Sequence, residues 1–441
     1  MAHDALDAWL DQLEADTAEP PTLRAISERF LQTRHVLLSA CLEAVIRQRY
    51  AKALQQTEAE CSCGRRLFRR RFDAKEVSTL HGTITLSRPY FSCDGCERGF
   101  HPLDAQLQLS DRYHQFDVQE RTTRLGADLP FGLTADQFAH LTGISASPHF
   151  IHDTLNAVGE AATMERVIPD AVEIGRRIDE ARSDSPRRPV LVVACDGAMA
   201  PTRPPGGRRK KRGPGSWREA KGVRIYLLGR DQRVIHVASW HQIADKATLA
   251  PTIKLLADRI PSDRVRIALV ADGAEWIWDL LCAHFPEGEQ ILDYYHCAEY
   301  VYATARAQYG EGTLEAQEWA EATLTRLCMN DLGDVSGGLL RMTPRSPEAN
   351  EAIRTFSIFL AGQRGRAGYA ELRRRGLPRG SGGIESANKL ICHVRLKRSG
   401  AWWLEAKGNA MLRIRCAIYN GTFDQIFADY MAAHRGKNSA P

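Results

Sequence analysis

The chain has 441 residues, and 59 lysines and arginines against 54 acidic residues give a formal net charge of +5. Its 44% hydrophobic residues are enough for several folded units, which excludes a largely disordered protein. No apolar run could cross a bilayer, the acidic start lacks a signal-peptide pattern, and the eleven cysteines are an odd number, so we expect a cytoplasmic protein without membrane partners or a disulfide framework.

Residues 1–56 predict a helical region. Apolar residues recur at helical spacing over 3–15 and again over 22–53, and Pro20-Pro21 separates the two stretches. An apolar helical stripe can pack into a core or associate with a second copy of the chain. The sequence leaves both possibilities open.

Residues 57–108 predict a zinc-ribbon-like module. A β-hairpin is expected over 77–91, and pairs of thiols lie on both sides of it. Structural Zn²⁺ takes four ligands in a tetrahedron, and the candidates are Cys61, Cys63, Cys93 and Cys96. The single residue between the first two is fewer than usual, so a hairpin with inert thiols remains the alternative. Arg69 and Arg70 beside the module are predicted to contact DNA phosphates.

Residues 109–185 predict a second helical region with the outline of a helix-turn-helix. The stretch 134–151 has a helical pattern, Gly143 at a turn, and the start of another helix. Such a pair of helices can read DNA, but many helical hairpins have a glycine at the corner. DNA binding and plain helical packing are both compatible with the pattern.

From Pro189 the pattern becomes rich in strands, and the element order βββαβαβ predicts an RNase H-like α/β core. This catalytic domain is expected to span 186–430 and to contain a helical insertion over about 298–378. Residues 431–441 predict a flexible tail. The fold class is therefore multidomain α+β, with helices and a zinc-ribbon-like hairpin ahead of the α/β core.

Two predicted strands of this core run into the same tripeptide, Asp-Gly-Ala. One is expected to end at Cys195, before Asp196, and the other at Ala271, before Asp272. An acid at the carboxyl end of a buried strand lies at the rim of the sheet, where α/β folds bind ligands. Two such carboxylates on neighbouring strands repel, and a divalent cation such as Mg²⁺ removes that penalty.

A third acid, Glu385, is predicted in the first turn of a helix that follows the flexible sequence Gly380-Ser-Gly-Gly. An N-terminal glutamate also simply compensates a helix dipole. Basic residues surround this segment and fill a loop at 206–213, which favours a polyanionic partner over a merely solvated surface. The predicted DNA contacts here are Arg209, Lys210, Lys211, Arg379, Lys389, Arg395 and Lys397.

Five sequence blocks resemble the DDE transposases of ISKra-type bacterial insertion sequences, which are related to Mutator-like elements. They occur in that family's order, and the resemblance extends over nearly the whole chain, from the segment with the two cysteine pairs to the region of Trp402 and Trp403. The blocks are Cys195-Asp196-Gly-Ala, Trp217-Arg-Glu-Ala-Lys221, Val270-Ala-Asp272-Gly-Ala-Glu-Trp276-Ile-Trp278, Leu292-Asp293-Tyr-Tyr-His296-Cys-Ala-Glu299 and Gly380-Ser-Gly-Gly-Ile-Glu385-Ser-Ala-Asn-Lys389.

The resemblance implies that Asp196, Asp272 and Glu385 are the catalytic acids and hold two Mg²⁺ or Mn²⁺ ions for strand cleavage and strand transfer. Asp293 and His296 match a supporting motif of the family. The implied partners are double-stranded DNA, as element terminal inverted repeats and as target, and further copies of the chain in a homodimer or higher multimer. The protein would then act in the bacterial cytoplasm, at the nucleoid when bound to DNA.

Two other functions remain open. One is an RNase H-like DNA nuclease without strand transfer, and the other is a catalytically decayed protein that only binds DNA. Glu219, Glu275 and Asp293 are the alternative acids if one of the three principal ones is misassigned.

Overall fold

The structure is a computed structural model that describes residues 2–14, 22–182, 187–204, 215–229 and 233–435. The described residues form a mixed α+β protein with ten strands in three sheets. The chain divides into two compact units, Met1–Ala161 with Asp424–Pro441 and Ala162–Phe423. None of the described helices combines the length and apolar composition needed to cross a membrane.

The first unit begins with helices where the apolar spacing predicts them. They are α1 (Ala2–Glu14), α2 (Leu23–Arg49) and α3 (Ala51–Leu54). The Thr22 hydroxyl starts α2 by accepting a hydrogen bond from the Ala25 N–H at 3.2 Å. The last turns of α2 bury Ile46 against Val77, Ile84 and Leu86, which form one small core.

Five short or medium strands follow, and they form two antiparallel sheets. They are β1 (Glu58–Glu60), β2 (Arg66–Phe68), β3 (Arg71–Thr79), β4 (Gly82–Cys93) and β5 (Arg98–Phe100). β1 pairs with β2, and β4 lies between β3 and β5. Along β4 buried and exposed residues alternate, as expected for a strand with one face on the core. The hairpin expected over 77–91 is thus longer than the pattern indicated.

Four helices complete the first part of this unit: α4 (Pro102–Gln106), α5 (Phe116–Asp128), α6 (Phe131–Thr142) and α7 (Pro148–Ala161). Gly143 ends α6 with a left-handed φ of 76°, which glycine adopts without steric cost. Pro148 is the first residue of α7, where its missing N–H removes no helical hydrogen bond. The helix, turn and helix predicted over 134–151 are present, and their role in DNA binding stays a prediction.

The second unit contains a five-stranded sheet flanked by helices. Its first elements are α8 (Met164–Val167), α9 (Ala171–Arg182), β6 (Val190–Thr202), β7 (Ser216–Leu228), β8 (Val234–Ile243), α10 (Ala250–Arg259), β9 (Arg266–Ala271), α11 (Glu275–His284) and β10 (Glu289–Leu292). The sheet order is β10-β9-β6-β7-β8. β6, β7 and β8 are antiparallel neighbours, whereas β9 pairs in parallel with both β6 and β10.

The rest of the second unit is helical. It contains α12 (Tyr294–Tyr309), α13 (Leu314–Cys328), α14 (Leu332–Arg341), α15 (Pro347–Gly362), α16 (Tyr369–Arg374), α17 (Gly382–Ala387), a π-helical stretch (Asn388–His393), α18 (Val394–Leu396) and α19 (Glu405–Asn420). The last helix, α20 (Phe423–His434), ends beyond residue 431, where the flexible tail was expected to begin. Residues 436–441 of that tail lie outside the described residues.

Candidate functional site

Asp196 and Asp272 lie side by side at one edge of the five-stranded sheet. The parallel pairing of β6 with β9 ends at Ala194 and Val270, and each acid stands two residues further along its strand direction. Neighbouring strands are about 4.8 Å apart, and the two residues occupy equivalent positions beside one another on adjacent strands of the sheet. We call this end of the sheet the acidic edge.

The expectation that the first strand ends at Cys195 is wrong. β6 continues through Asp196 to Thr202, because β7 remains hydrogen-bonded to it over that whole length. Asp196 is nevertheless half-buried at the rim, since its other neighbour β9 ends at Ala271. Asp196 thus lies at the rim of the sheet because its neighbour β9 is short, and not because β6 itself ends there.

Asp293 follows β10 and stands opposite Asp272 on the third neighbouring strand, because Leu292 pairs with Ala271. Its carboxylate is already used by the fold. One oxygen caps α12 by accepting from the Tyr295 N–H at 2.8 Å, and the other accepts from the Ser381 hydroxyl. Asp293 is buried and anchors the loop that leads to Glu385. Asp293 therefore positions neighbouring segments, and its buried carboxylate is not one of the accessible acids at the acidic edge.

Glu385 lies in the first turn of α17 and is exposed. Two contacts set this helix against the sheet. The Arg224 guanidinium on β7 donates to the Gly383 carbonyl, and a Cβ on Gly383 would lie 2.5 Å from the Tyr226 ring. Only glycine permits so close an approach, so Gly383 has a packing function.

The acidic edge carries negative charge that the described side chains do not neutralise. Burial, and the charges of Asp272, Glu219 and Glu385, raise the pKa of Asp196, and the Gly197 N–H donated to its carboxylate offsets part of this. Within the described residues, Asp196, Asp272 and Glu385 form no ion pair, whereas Glu219 is bound by Lys221. The mutual repulsion of the three acids is therefore not offset by an ion pair among the described residues.

A buried chain of hydrogen bonds, from His241 through Asn388, holds the carboxylate of Asp196. Asn388 donates from Nδ2 to the Asp196 carboxylate at 2.7 Å, and its Oδ1 lies 2.9 Å from His241 Nε2. Burial lowers the pKa of His241 to about 4, so the imidazole is neutral near pH 7, and it must carry its proton on Nε2 because an amide oxygen only accepts. Cys416 Sγ lies 4.0 Å from the other ring nitrogen.

Asn388 opens the π-helical stretch, a geometry that often occurs at functional sites. The sequence reading missed both Asn388 and His241. Asn388 stands three residues after Glu385, in the same sequence block 380–389, and this proximity was the one feature of the sequence that pointed to it. No pattern in the strand around His241 distinguishes it from an ordinary core histidine.

His296 lies on the first turn of α12, away from direct contact with the acids. Its Nδ1 is 3.4 Å from Glu299, and its ring packs against Tyr300 and Phe359. In the described part of the chain His296 forms no hydrogen bond with Asp272 or with the other two principal acids.

The donor chemistry of the acidic edge suits a hard divalent cation. Mg²⁺ is usually bound by one or two carboxylates together with water and substrate phosphates. Among the described residues, the four cysteines are the one set of three or more possible ligand atoms that all lie within 4.8 Å of one another. The three acids are not such a set, so water and substrate phosphates would complete the coordination of an ion held there.

The cysteines of the first unit form a compact cluster. Cys61 Sγ lies 3.8 Å from Cys96 Sγ, and Cys63 Sγ lies 3.7 Å from Cys93 Sγ. Two turns bring them together: Gly64 N–H donates to the Cys61 carbonyl, and Cys96 N–H donates to the Cys93 carbonyl. A tetrahedron with Zn–S bonds of 2.3 Å has edges of about 3.8 Å, so the cluster could hold a structural metal such as zinc.

The thiol pKa values point the same way. A hydrogen bond from the Cys63 backbone, aided by the neighbouring thiols, lowers the pKa of Cys61 to about 6. The same neighbours raise the pKa of Cys96 to about 12. Four adjacent thiols cannot all ionise without a cation, and a bound metal supplies the missing charge.

The predicted DNA-contact residues have different surroundings. In the first unit, Arg69 stacks on Phe72 at 4.4 Å and Arg70 lies 3.3 Å from Asp94. In the second unit, Arg379, Lys389 and Lys397 are exposed. Arg395 is 4% exposed and its guanidinium lies 5.0 Å from the Trp403 ring, so a phosphate does not reach it. Arg209, Lys210 and Lys211 lie outside the described residues.

No protein-family model matches the chain, and no curated protein matches it. Among solved structures, it is similar to a chain of the Drosophila P element transposase strand transfer complex, with 11% sequence identity and a TM-score of 0.27. The similarity covers 71% of this chain and 80% of that one. Similarity at this level establishes neither the fold nor the function of this chain.

Proposed function

We propose that the chain is a DDE-type transposase, with an RNase H-like core that cleaves DNA strands and joins them to a target. The observation that carries the proposal is the register that sets Asp196 beside Asp272, with Glu385 close enough for its charge to raise the Asp196 pKa. The sheet order, three antiparallel strands followed by two parallel ones, supports the assignment of the core. Resemblance of five sequence blocks to ISKra-type transposases adds to it.

In this proposal Asp196, Asp272 and Glu385 hold Mg²⁺ or Mn²⁺. When bound, such ions neutralise charge that develops on a phosphodiester and make water a better nucleophile. Water attacks the phosphorus, the bond to the 3′ oxygen breaks, and that oxygen leaves as a 3′-hydroxyl. This hydroxyl then attacks a phosphorus of the target, the bond from that phosphorus to the target's own 3′ oxygen breaks, and the displaced oxygen takes the proton. No covalent link between protein and DNA is needed, so no serine or tyrosine nucleophile is assigned.

The surrounding residues keep the acids in place during this chemistry. Asn388 fixes the orientation of the Asp196 carboxylate, because it occupies one oxygen while the Gly197 N–H occupies the other. Asp293 fixes the loop before Glu385 through Ser381. Second-layer contacts of this kind typically change metal affinity or activity by about 10- to 100-fold when removed.

The proposed partner is double-stranded DNA, in the form of element ends and target. Exposed Arg379, Lys389 and Lys397 of the second unit offer cations for its phosphates. In the first unit, Arg69 and Arg70 stand beside the cysteine cluster, for which we propose zinc. Assembly as a multimer and a bacterial cytoplasmic location belong to the same proposal.

The test is a strand-transfer assay with the full chain, labelled DNA carrying the element ends, a target plasmid and Mg²⁺. Asp196→Asn, Asp272→Asn and Glu385→Gln should each abolish cleavage while DNA binding survives. Glu275→Gln is the matched control, because Glu275 is an exposed acid in the first turn of α11 and should be dispensable. Loss of activity in that control with normal activity in Glu385→Gln would reassign the third acid.

The assay also separates the other two functions. Cleavage of the labelled strand without any joined product would contradict transposition and favour a nuclease. Binding of element ends with no cleavage at any Mg²⁺ or Mn²⁺ concentration would indicate a protein that only binds DNA.

A further inference from the structure

At the end of the five-stranded sheet opposite the acidic edge, arginines gather around a cavity of about 230 Å³. The cavity lies between the start of β6, the end of β7, the start of β9 and the end of α16. Among the described residues that line it, six are arginines and none is acidic. We call this the arginine pocket, and its arginines are Arg187, Arg188, Arg266, Arg373, Arg374 and Arg375.

Backbone contacts build the pocket from separate parts of the chain. Arg266, the first residue of β9, donates from Nη1 to the Arg375 carbonyl at 3.0 Å and from Nε to the Arg188 carbonyl at 3.3 Å. Arg375 in turn donates to Glu289 at the start of β10 at 2.7 Å. These hydrogen bonds fix the pocket residues relative to one another, so the pocket is part of the folded structure.

The pocket keeps unneutralised positive charge. Arg374 is bound by Glu371 and Arg375 by Glu289, but Arg188 and Arg373 form no ion pair within the described residues. Burial and the charges of Arg375 and Arg187 lower the pKa of Arg266, as expected where like charges are held together. A phosphate relieves this repulsion, and the planar guanidinium matches its oxygens in pairs.

One segment connects the arginine pocket to the acidic edge. Residues 375–381 start at Arg375 beside Glu289, the first residue of β10, and continue to Ser381, which donates to Asp293 just after the last residue of β10. Midway, the Arg379 carbonyl accepts from the Tyr294 N–H at 2.9 Å. This segment follows the edge strand β10 and contains Arg375 at its start and Arg379 two residues before its end.

The distance between the two sites suits duplex DNA. On β6 six residues separate Val190, which lines the pocket, from Asp196, and at 3.3 Å per residue they span about 20 Å. Stacked base pairs cover that length in about six steps of 3.4 Å. A duplex cut at the acidic edge can therefore place phosphates at the pocket as well.

We propose that the arginine pocket binds the phosphodiester backbone of the same DNA that is cut at the acidic edge, about six base pairs from the cut. The inference rests on the proposed function, because it takes the acidic edge as the cutting site. The pocket would fix the position of the duplex without reading its sequence, since phosphates carry no base identity.

The test compares two double variants of the full chain. Arg188→Gln with Arg373→Gln removes two exposed pocket cations that form no ion pair in the described structure. Arg326→Gln with Arg341→Gln is the matched control, because it removes two exposed arginines of α13 and α14 with the same loss of charge. Affinity for a 40-base-pair duplex is measured without Mg²⁺ between 50 and 300 mM salt.

Each phosphate contact contributes about 0.9 to the slope of log affinity against log salt concentration, so the pocket variant should lose about 2 from that slope. The control should keep the wild-type slope. An unchanged slope in the pocket variant would overturn the proposal. Stoichiometric binding of inorganic tripolyphosphate that the pocket variant abolishes, with an unchanged slope for DNA, would assign the pocket to a small phosphate-bearing anion and also overturn it.

Cleavage assays on the same proteins keep this test separate from that of the proposed function. If wild-type protein cuts DNA and the pocket variant cuts it with the same dependence on DNA concentration, the pocket has no part in holding the substrate. If wild-type protein never cuts DNA, the proposed function fails, and the salt slope still decides whether the pocket binds phosphates.

Discussion

Replacing Asn388 with alanine tests the link between the buried hydrogen-bond chain and the acidic edge. Asn388 is 4% exposed and joins His241, which is 1% exposed, to the carboxylate of Asp196. Alanine cannot make either hydrogen bond. The substitution therefore leaves the buried Nε2–H of His241 without a hydrogen-bond partner and also removes the hydrogen bond that holds the Asp196 carboxylate.

Two contributions set the expected loss of stability. A hydrogen bond to a charged group contributes about 1.5 to 3 kcal/mol, and leaving a buried donor without a partner costs about 1 to 3 kcal/mol. Because the half-buried Asp196 can take a water in place of the amide, we use the lower part of each range. The free energy of unfolding should fall by about 3 kcal/mol.

Denaturant unfolding measures the stability, and cleavage rates over a range of Mg²⁺ concentrations measure the site. A misoriented Asp196 should raise the Mg²⁺ concentration at half-maximal rate by about 10- to 100-fold. Asn409→Ala is the matched control. Asn409 is also hydrogen-bonded to a strand, because it accepts from the Ile243 N–H at 2.8 Å and donates to the Ile243 carbonyl at 3.1 Å, but within the described residues it forms no hydrogen bond with an acidic side chain.

The control should lose stability and keep the wild-type Mg²⁺ dependence. If Asn388→Ala is as stable as the wild type to within about 0.5 kcal/mol, the buried chain does not contribute to the fold as described. If it loses stability but keeps the wild-type Mg²⁺ midpoint, Asn388 packs the core and does not position Asp196.

Two further outcomes follow from the charges of the two clusters. The Glu219 charge raises the pKa of Asp196, so the Asp196 carboxylate becomes protonated at a higher pH than it would without Glu219. Glu219→Gln should therefore move the acidic limb of the pH profile of cleavage to lower pH. A shift to higher pH would contradict this. Wild-type protein should contain about one zinc per chain by elemental analysis, and Cys93→Ser less than half of that, whereas Cys282→Ser should keep its zinc; equal zinc in both variants would exclude the cysteine cluster.

Local patterns in the sequence predicted much of the architecture. Alternating burial on β4 and the apolar spacing of α1 and α2 arise within single elements, and each element was expected near its observed place. The order of strands and helices in the second unit also followed from such patterns. The end of β6 did not, because its extension to Thr202 depends on pairing with β7.

The cysteine cluster illustrates a different limit. The sequence identified all four thiols but gave an unfavourable spacing for Cys61 and Cys63. The turn at Gly64, with a φ of 80°, brings both thiols to the same point, and spacing rules contain no information about that turn. Arg395 is the opposite case, since a basic cluster suggested exposure and packing on Trp403 buried it.

By itself, the sequence predicted which acids and thiols are candidate metal ligands and which segments become strands or helices, because those predictions depend on side-chain type and on neighbours a few residues away. Only the tertiary structure decided that Asn388 reaches both His241, 147 positions away, and Asp196, 192 positions away. It likewise assembled the arginine pocket from five separate segments. Contacts over such separations depend on strand register and helix packing, which are set by the burial of the whole unit and not by any local pattern.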